Sequence, residues 1–330
     1  MVIIQTPLRI SFFGGGTDYP VWFREHGGAV LATSIDKYIY TQCRKSNPFF
    51  EHKHRIIYSR VEDVNEIDEI KHPAVREAYR FMKVTDGLEL HHDSDLPARS
   101  GMGSSSSFTV GLLHALRALR GEHADKTRLA LDAMYVEQEM IKENVGCQDQ
   151  VMAAFGGFNH VKFHTDGHFS VEPMVIRRER KTELESGLML FFTGIQRMAS
   201  QVAAEQIKNT PAKADELRTM REMVAEGVNI LTSNTSLTEF GKLLHEGWKL
   251  KRQLSSKITN SSIDDIYEAG LKAGAIGGKL LGAGGGGFVL FYVPPELKRQ
   301  VRARLGGLLH IDFAFENRGS NVIFSREAAA

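Results

Sequence analysis

The chain has 330 residues, with 41 Lys and Arg against 40 Asp and Glu and a formal net charge of +1. That length suits two compact domains, and the balanced charge gives the molecule no global attraction to nucleic acid or an anionic membrane. Only Cys43 and Cys147 are present, which excludes a disulfide-stapled module and a multi-cysteine metal centre. The opening MVIIQTPLRISFF lacks a cationic start and a cleavage pattern, and no run of ~20 apolar residues occurs, so a cytoplasmic location is expected.

The first predicted strand, 2–13, places Leu8, Ile10 and Phe12 on one face and Arg9, Ser11 and Phe13 on the other. It ends in Gly14-Gly15-Gly16, followed by Thr17 and Asp18, a turn able to aim the Asp18 carboxylate at a bound polyol. Residues 28–43 read as a second strand, 44–60 as a charged hairpin or exposed loop, and 73–84 as a short helix. After Pro97, Arg99, Ser100, Gly101, Met102 and Gly103, four serines open a helix in which Phe108, Leu112, Ala115, Leu116 and Leu119 recur at helical spacing. Helical patterns follow at 125–142 and 149–155, and antiparallel strands at 158–186. A domain boundary is placed there, giving 1–182 and 183–330. The second part reads as a strand at 188–193 and helices to about 257. A helix at 263–275, a glycine loop at 277–287 and a strand at 288–293 follow, then a helix at 295–305 and a strand at 310–315. The order predicts an α+β sandwich, one antiparallel sheet covered by helices.

The segment PARSGMGSSSS has the chemistry of a phosphate cradle. Gly101 and Gly103 let backbone amides turn inward, and the first amides of a helix lack intrahelical acceptors and carry a partial positive potential. Ser104, Ser105 and Ser106 add hydroxyls, although an ordinary serine-capped helix shares this local pattern. Neither GK[ST] nor GxGxxG is present. The loop at 282–287, with Gly284 and Gly285 at its centre, suits a backbone-only approach to a ligand or a packed neighbour. Together the two loops predict a nucleotide site walled by both halves of the chain.

The ionisable candidates are few. Asp149, at a predicted helix start, is placed to accept a substrate proton in phosphoryl transfer, a reaction that asks mainly for positioning and charge neutralisation. Glu137 interrupts an apolar helical face, and magnesium is a natural partner for a buried carboxylate. A register shift would expose it and move interest to Glu139. Arg9 can meet a transferring phosphoryl group or Asp149. Arg197 and the basic run Arg44, Lys45, His52, Lys53, His54 and Arg55 are candidates for a phosphate already on the substrate.

Three segments, PLRISFFGGGTDYP at 7–20, LPARSGMGSSSS at 96–107 and KLLGAGGGGFVLF at 279–291, occur in the order and character of the GHMP kinase superfamily, which the chain therefore resembles over nearly its whole length. The resemblance implies ATP and Mg2+ as cofactors, Asp149 as catalytic aspartate and Glu137 with Ser104 or Ser105 at the metal. It puts Arg9 beside the transferred phosphoryl and the loop from Pro97 to Ser106 around the nucleotide. It also implies a two-domain fold. The N-terminal α/β domain would have a left-handed βαβ crossover, like ribosomal protein S5 domain 2, and the C-terminal domain would be ferredoxin-like. The GGGTDYP ending is similar to that of family members acting on the anomeric hydroxyl of D-glycero-D-manno-heptose 7-phosphate, and comparable motifs occur in fucose kinases. On that basis Gly15, Gly16, Thr17, Asp18, Asp149 and Arg197 are expected to bind a phosphorylated sugar, with no nucleic-acid or membrane partner and a homodimer as the assembly to test. A free-sugar kinase and a nucleotide-binding regulator without turnover are the competing expectations.

Overall fold

The structure, a computed structural model, describes residues 1–195 and 199–326. In chain order its first half comprises β1 (Val2–Phe13), α1 (Pro20–His26), β2 (Gly28–Lys45), β3 (His54–Ile57), β4 (Val61–Val64), α2 (Pro73–Phe81) and β5 (Leu88–Ser94). It continues with α3 (Ser104–Leu119), α4 (Lys126–Tyr135), α5 (Gln148–Phe155), β6 (Phe158–Phe163), β7 (Phe169–Pro173) and α6 (Arg178–Gly187). The second half has β8 (Leu188–Phe192), α7 (Ala199–Asn209), α8 (Ala214–Thr232), α9 (Leu237–Gln253), α10 (Ser261–Lys272), β9 (Gly277–Leu280) and β10 (Phe288–Tyr292). It closes with α11 (Lys298–Arg304), β11 (Leu309–Ile311), β12 (Phe315–Glu316) and β13 (Asn321–Ser325).

Two sheets form, where the strand order alone suggested one. The first runs β13-β1-β2-β5-β3-β4, with β6 and β12 also pairing β2, and it is antiparallel except for β3 beside β5. That parallel pair is joined through β4 and α2, the crossover such a pair requires. The second sheet, β11-β8-β10-β9, is antiparallel throughout. Its chain order of strand, helices, hairpin, helix and strand is the ferredoxin-like pattern.

β1 is covered by α3 and α5 and also touches α8 and α9, so nearly all of it is buried, and its inward and outward faces are not told apart by exposure. Its pairing with β2 slips at Pro7/Leu8, where proline has no N–H for the ladder. Packing on both faces turns this strand into a fixed rail for Arg9.

Several expectations change. The charged run 177–185 is helix α6, one-sided enough to bury Leu184, while Arg180 donates to Ile230 O at 2.9 Å and Glu185 accepts the Phe315 N–H at 2.6 Å. Gly277 and Gly278 belong to β9, where no side chain fits against Gly241 and Leu290, so the true glycine loop starts after Leu280. The expected body 183–330 is not spatially separate: β12 and β13 return to the first sheet, pairing β2 and β1.

Candidate active site

The phosphate cradle is built where α3 begins. Gly103 sits in the left-handed region (φ 77°) as the residue before the helix, and Ser104 starts it. Side chains are excluded around Gly101, since a Cβ there would strike Leu281 O and a Cβ on Gly282 would strike Gly101. Gly287 is likewise pressed on Ser100 O. The two glycine loops thus lie in direct backbone contact across almost two hundred residues of sequence. They border a cleft of about 370 Å³ lined by Gly101, Gly103, Ser104, Ser105, Ser106, Arg99, Gly282 and Ala283. Gly284 and Gly285, the expected cofactor contacts, turn away from it. The Gly285 N–H donates to Ile258 O at 2.8 Å, and Gly284 packs on the same residue. Pro97 is exposed and outside the lining, while Ser100 and Met102 are buried behind the loop, Met102 O accepting the Arg9 N–H at 3.1 Å.

Arg9 and Asp149 face one another at the centre. Nε donates to Oδ1 at 2.7 Å and Nη2 to Oδ2 at 3.0 Å, and Nη1 donates to Gly101 O at 2.8 Å. Asp149 stands in the first turn of α5, with its carboxylate committed to the guanidinium and 26% exposed. A Cβ on Gly103 would lie 3.3 Å from Arg9 Cγ and 3.4 Å from the Asp149 carboxylate, a tight fit at a left-handed φ that already disfavours a side chain.

The turn after β1 completes the acceptor side. Gly15, Gly16 and Asp18 line the cleft; Thr17 does not, and its hydroxyl instead donates to Gly14 O and Ala29 O to brace the turn. Asp18 accepts from the Gly16 N–H at 2.9 Å and the Gln148 N–H at 3.2 Å, and Gly146 is glycine where this carboxylate presses against the backbone. Burial raises the Asp18 pKa, with Asp149 adding to the rise. Ser11 Oγ and Gln148 Oε1 are buried at the cleft without a hydrogen-bond partner among the described residues, a donor–acceptor set that fits a polyol.

Glu137 lies one step behind this surface. α4 relaxes into a π-helical turn over Val136–Met140, which carries Glu137 into the interior and leaves Glu139 exposed. The Glu137 carboxylate accepts from Ser106 Oγ and Thr109 Oγ1, each at 2.8 Å, and from Gln150 Nε2. Burial pushes it up to about 7 despite those bonds. Two lysines also reach the cleft: Lys251 from α9, whose Nζ donates to Gly282 O, and Lys279 from β9, whose Nζ donates to Phe12 O at 2.7 Å.

Residues 70–157 match the family described as GHMP kinases N terminal domain, and residues 229–309 match GHMP kinases C terminal. The chain belongs to the GHMP kinase family. It is an ATP-dependent phosphotransferase, a sugar kinase of that family. A D-glycero-alpha-D-manno-heptose 7-phosphate kinase of Campylobacter jejuni is 28% identical, with 96% of each chain covered. A galactokinase of Pyrococcus furiosus is 24% identical over 91% of each. Among solved structures, a D-glycero-D-manno-heptose 1-phosphate kinase from Bacteroides thetaiotaomicron superposes with a TM-score of 0.80 at 23% identity, covering 98% of this chain and 100% of that one.

GHMP kinase membership brings a magnesium site into question, and the donors present fit one. A fully buried carboxylate ringed by neutral donors lacks a countercharge, and hard oxygen ligands are what Mg2+ takes. Of the loop's serines, the one whose hydroxyl meets Glu137 is Ser106, however, and not the expected Ser104 or Ser105, which line the cleft just ahead of it.

Sequence reasoning missed Ser11, Gln148, Lys251 and Lys279. Ser11 shares the strand face of Arg9, Gln148 adjoins Asp149, and Lys251 interrupts the apolar stripe of α9 formed by Leu237, Phe240, Leu244 and Trp248. The basic run 44–55 is outside the cleft lining, and three of its charges are paired there: Arg44 with Glu89, Lys45 with Asp86 and Arg55 with Asp63. Arg197 lies outside the described residues.

Proposed function

We propose that this GHMP kinase transfers the γ-phosphoryl group of ATP to the anomeric hydroxyl of D-glycero-D-manno-heptose 7-phosphate. The observation that carries the reading is the bidentate Arg9–Asp149 pair, set beside the start of α3 and next to a buried Asp18 in one cleft. The similarity to the Campylobacter jejuni heptose 7-phosphate kinase, nearly end to end, supports the choice of sugar.

In this reading the backbone amides of 103–106 hold the ATP phosphates, and Gly282 and Ala283 close over them. Asp18, Ser11 and Gln148 bind sugar hydroxyls and present O1 to Asp149, which orients it and takes its proton as the new ester forms. Arg9 fixes that carboxylate and offsets charge on the phosphoryl in flight. Glu137, Ser106 and one of Ser104 or Ser105 are the residues to hold Mg2+, whose chemistry is to neutralise phosphate charge. Because both Asp149 oxygens are already held by Arg9, the carboxylate is pre-oriented before the sugar arrives.

A coupled ADP-release assay over heptose 7-phosphate, fucose and galactose, with phosphorus NMR of the product, tests the proposal. Turnover with heptose 7-phosphate and a new ester at C1 is expected. Preference for free galactose, in line with the galactokinase relatives, or an ester at another carbon, overturns it.

A further inference from the structure

Two ammonium groups in the cleft have no task in the scheme above. Lys251 and Lys279 are each 5% exposed and each line the cleft. Each is tethered by a single backbone carbonyl, Gly282 O for Lys251 and Phe12 O for Lys279. Neither forms an ion pair among the described residues. An ammonium has three N–H donors, so each keeps two unused. Buried charges of one sign, side by side and unpaired, are unfavourable unless an anion joins them.

Their surroundings narrow that anion. Arg9, Asp18 and Asp149 act on Lys251, and Lys251, Arg9 and Asp18 act on Lys279. The carbonyl holding Lys279 belongs to Phe12, directly before the turn that presents Asp18, so this lysine is at the acceptor end of the cleft. Lys251, projecting from α9, holds the Gly282 carbonyl of the glycine loop and lies within electrostatic reach of Lys279, Asp18 and Asp149. The phosphoryl in flight already has Arg9 and the amides of α3, and Arg99 stands on the phosphate loop, which leaves Lys251 and Lys279 as the uncommitted cations of the cleft lining. The basic run 44–55 is outside the cleft lining, with three of its charges paired there.

We propose that Lys251 and Lys279 form a two-cation subsite that receives the phosphate the sugar already carries. The assignment rests on the phosphorylated acceptor proposed above. It explains why a lysine occupies the middle of a buried strand and another the apolar stripe of a helix: a dianion supplies the direct ion pair that no carboxylate among the described residues makes with them. Burial and the neighbouring cations hold Lys251 down to about 8 and Lys279 well below the ordinary lysine value, and a bound dianion favours their charged forms. Affinity for the phosphosugar should then weaken as pH rises past about 8, while affinity for an uncharged sugar should not.

The test uses the full-length protein with Lys251→Met, Lys279→Met and Lys251→Arg. Steady-state kinetics are run with heptose 7-phosphate and with the same heptose lacking its phosphate, and inorganic phosphate serves as a competitor. Each Met variant should cut the preference for the phosphorylated heptose, as a ratio of kcat/KM values, by at least ~30-fold, since charge-assisted hydrogen bonds are lost. The ATP KM should stay within about twofold, which also reports that the variant is folded. Inorganic phosphate should stop competing with the acceptor, and Lys251→Arg should restore much of the preference without the decline above pH 8. An unchanged preference with turnover lowered equally on both acceptors, or a raised ATP KM, overturns the proposal and moves the lysines to the transferred phosphoryl. Wild-type turnover confined to unphosphorylated sugars overturns the acceptor assignment itself, a failure read before any variant is made. If one Met variant does not fold, the other carries the test.

Discussion

Arg9 donates through all three of its nitrogens, twice to Asp149 and once to the phosphate loop, so a single side chain couples the acceptor's base to the nucleotide's cradle. Asp149→Asn should lower turnover at least ~100-fold and leave the ATP KM nearly unchanged, because the lost function is proton acceptance and orientation. Arg9→Lys keeps the charge but not the fork, and a point charge cannot hold both oxygens. Its turnover should fall at least ~10-fold, with the ATP KM rising as well through the lost Gly101 contact. Glu137 offers a different signature. Its folded pKa of about 7 lies above the ordinary 4.5, so the cost of burying this carboxylate grows as pH rises from 4.5 to about 7, is complete above that and vanishes below 4.5. Glu137→Gln should therefore stabilise the metal-free protein at pH 8 by about 1–3 kcal/mol in a denaturant titration, while turnover with Mg2+ collapses. The freed Gln150 Oε1, buried without a partner, gives the new amide an acceptor.

Elements place these groups, and here the sequence could be read only part of the way. The start of α3 was legible because glycine followed by serines has a distinct capping chemistry, and Asp149 because it opens a short helix. Loop orientation was not legible: five glycines in six residues say that something comes close, but not whether it is a ligand or the chain itself. Gly284 and Gly285 answer to Ile258, and Gly282 to Gly101. Glu137 could be chosen over Glu139 only on helical phase, and the π-turn that decides the matter has no compositional mark. Since Gly101 and Gly282 touch through backbone atoms at positive φ, Gly101→Ala should separate the loops. The expected result is an ATP KM at least ~10-fold higher and a loss of ~1–2 kcal/mol in stability, measured by initial rates and urea unfolding. A near-normal ATP KM would show that the two loops need not touch.

At the scale of the molecule, long-range pairing escaped the sequence altogether. Strand β13 is polar enough at its ends to pass for a tail, and its partner, β1, is the most distant strand in the chain. The two-sheet arrangement came from the family resemblance, because local patterns report strands but not which of them meet. The histidines were equally silent. His54, His92 and His114 are pushed down to about 4 by burial, well below the ordinary 6.5. The unfolded chain takes up protons that the fold refuses, so stability is lost as pH falls from 6.5 toward 4, at up to about 1.4 kcal/mol per pH unit for each group. Urea midpoints measured at pH 7, 6 and 5 should decline with that steepness, and a flat profile would contradict the burial of these rings. No helix among the described residues is long and apolar enough to cross a membrane.

The pairing of β13 with β1 has a consequence for how the protein is made. Strand β1 leaves the ribosome well before its second neighbour, β13, which is translated only after the glycine loop. At roughly 5–20 residues per second this flank stays unzipped for on the order of tens of seconds. Until then a nascent chain exposes the bare margin of Val2–Gln5, and that end of the strand carrying Arg9 is sealed on both sides only when residues 321–325 arrive.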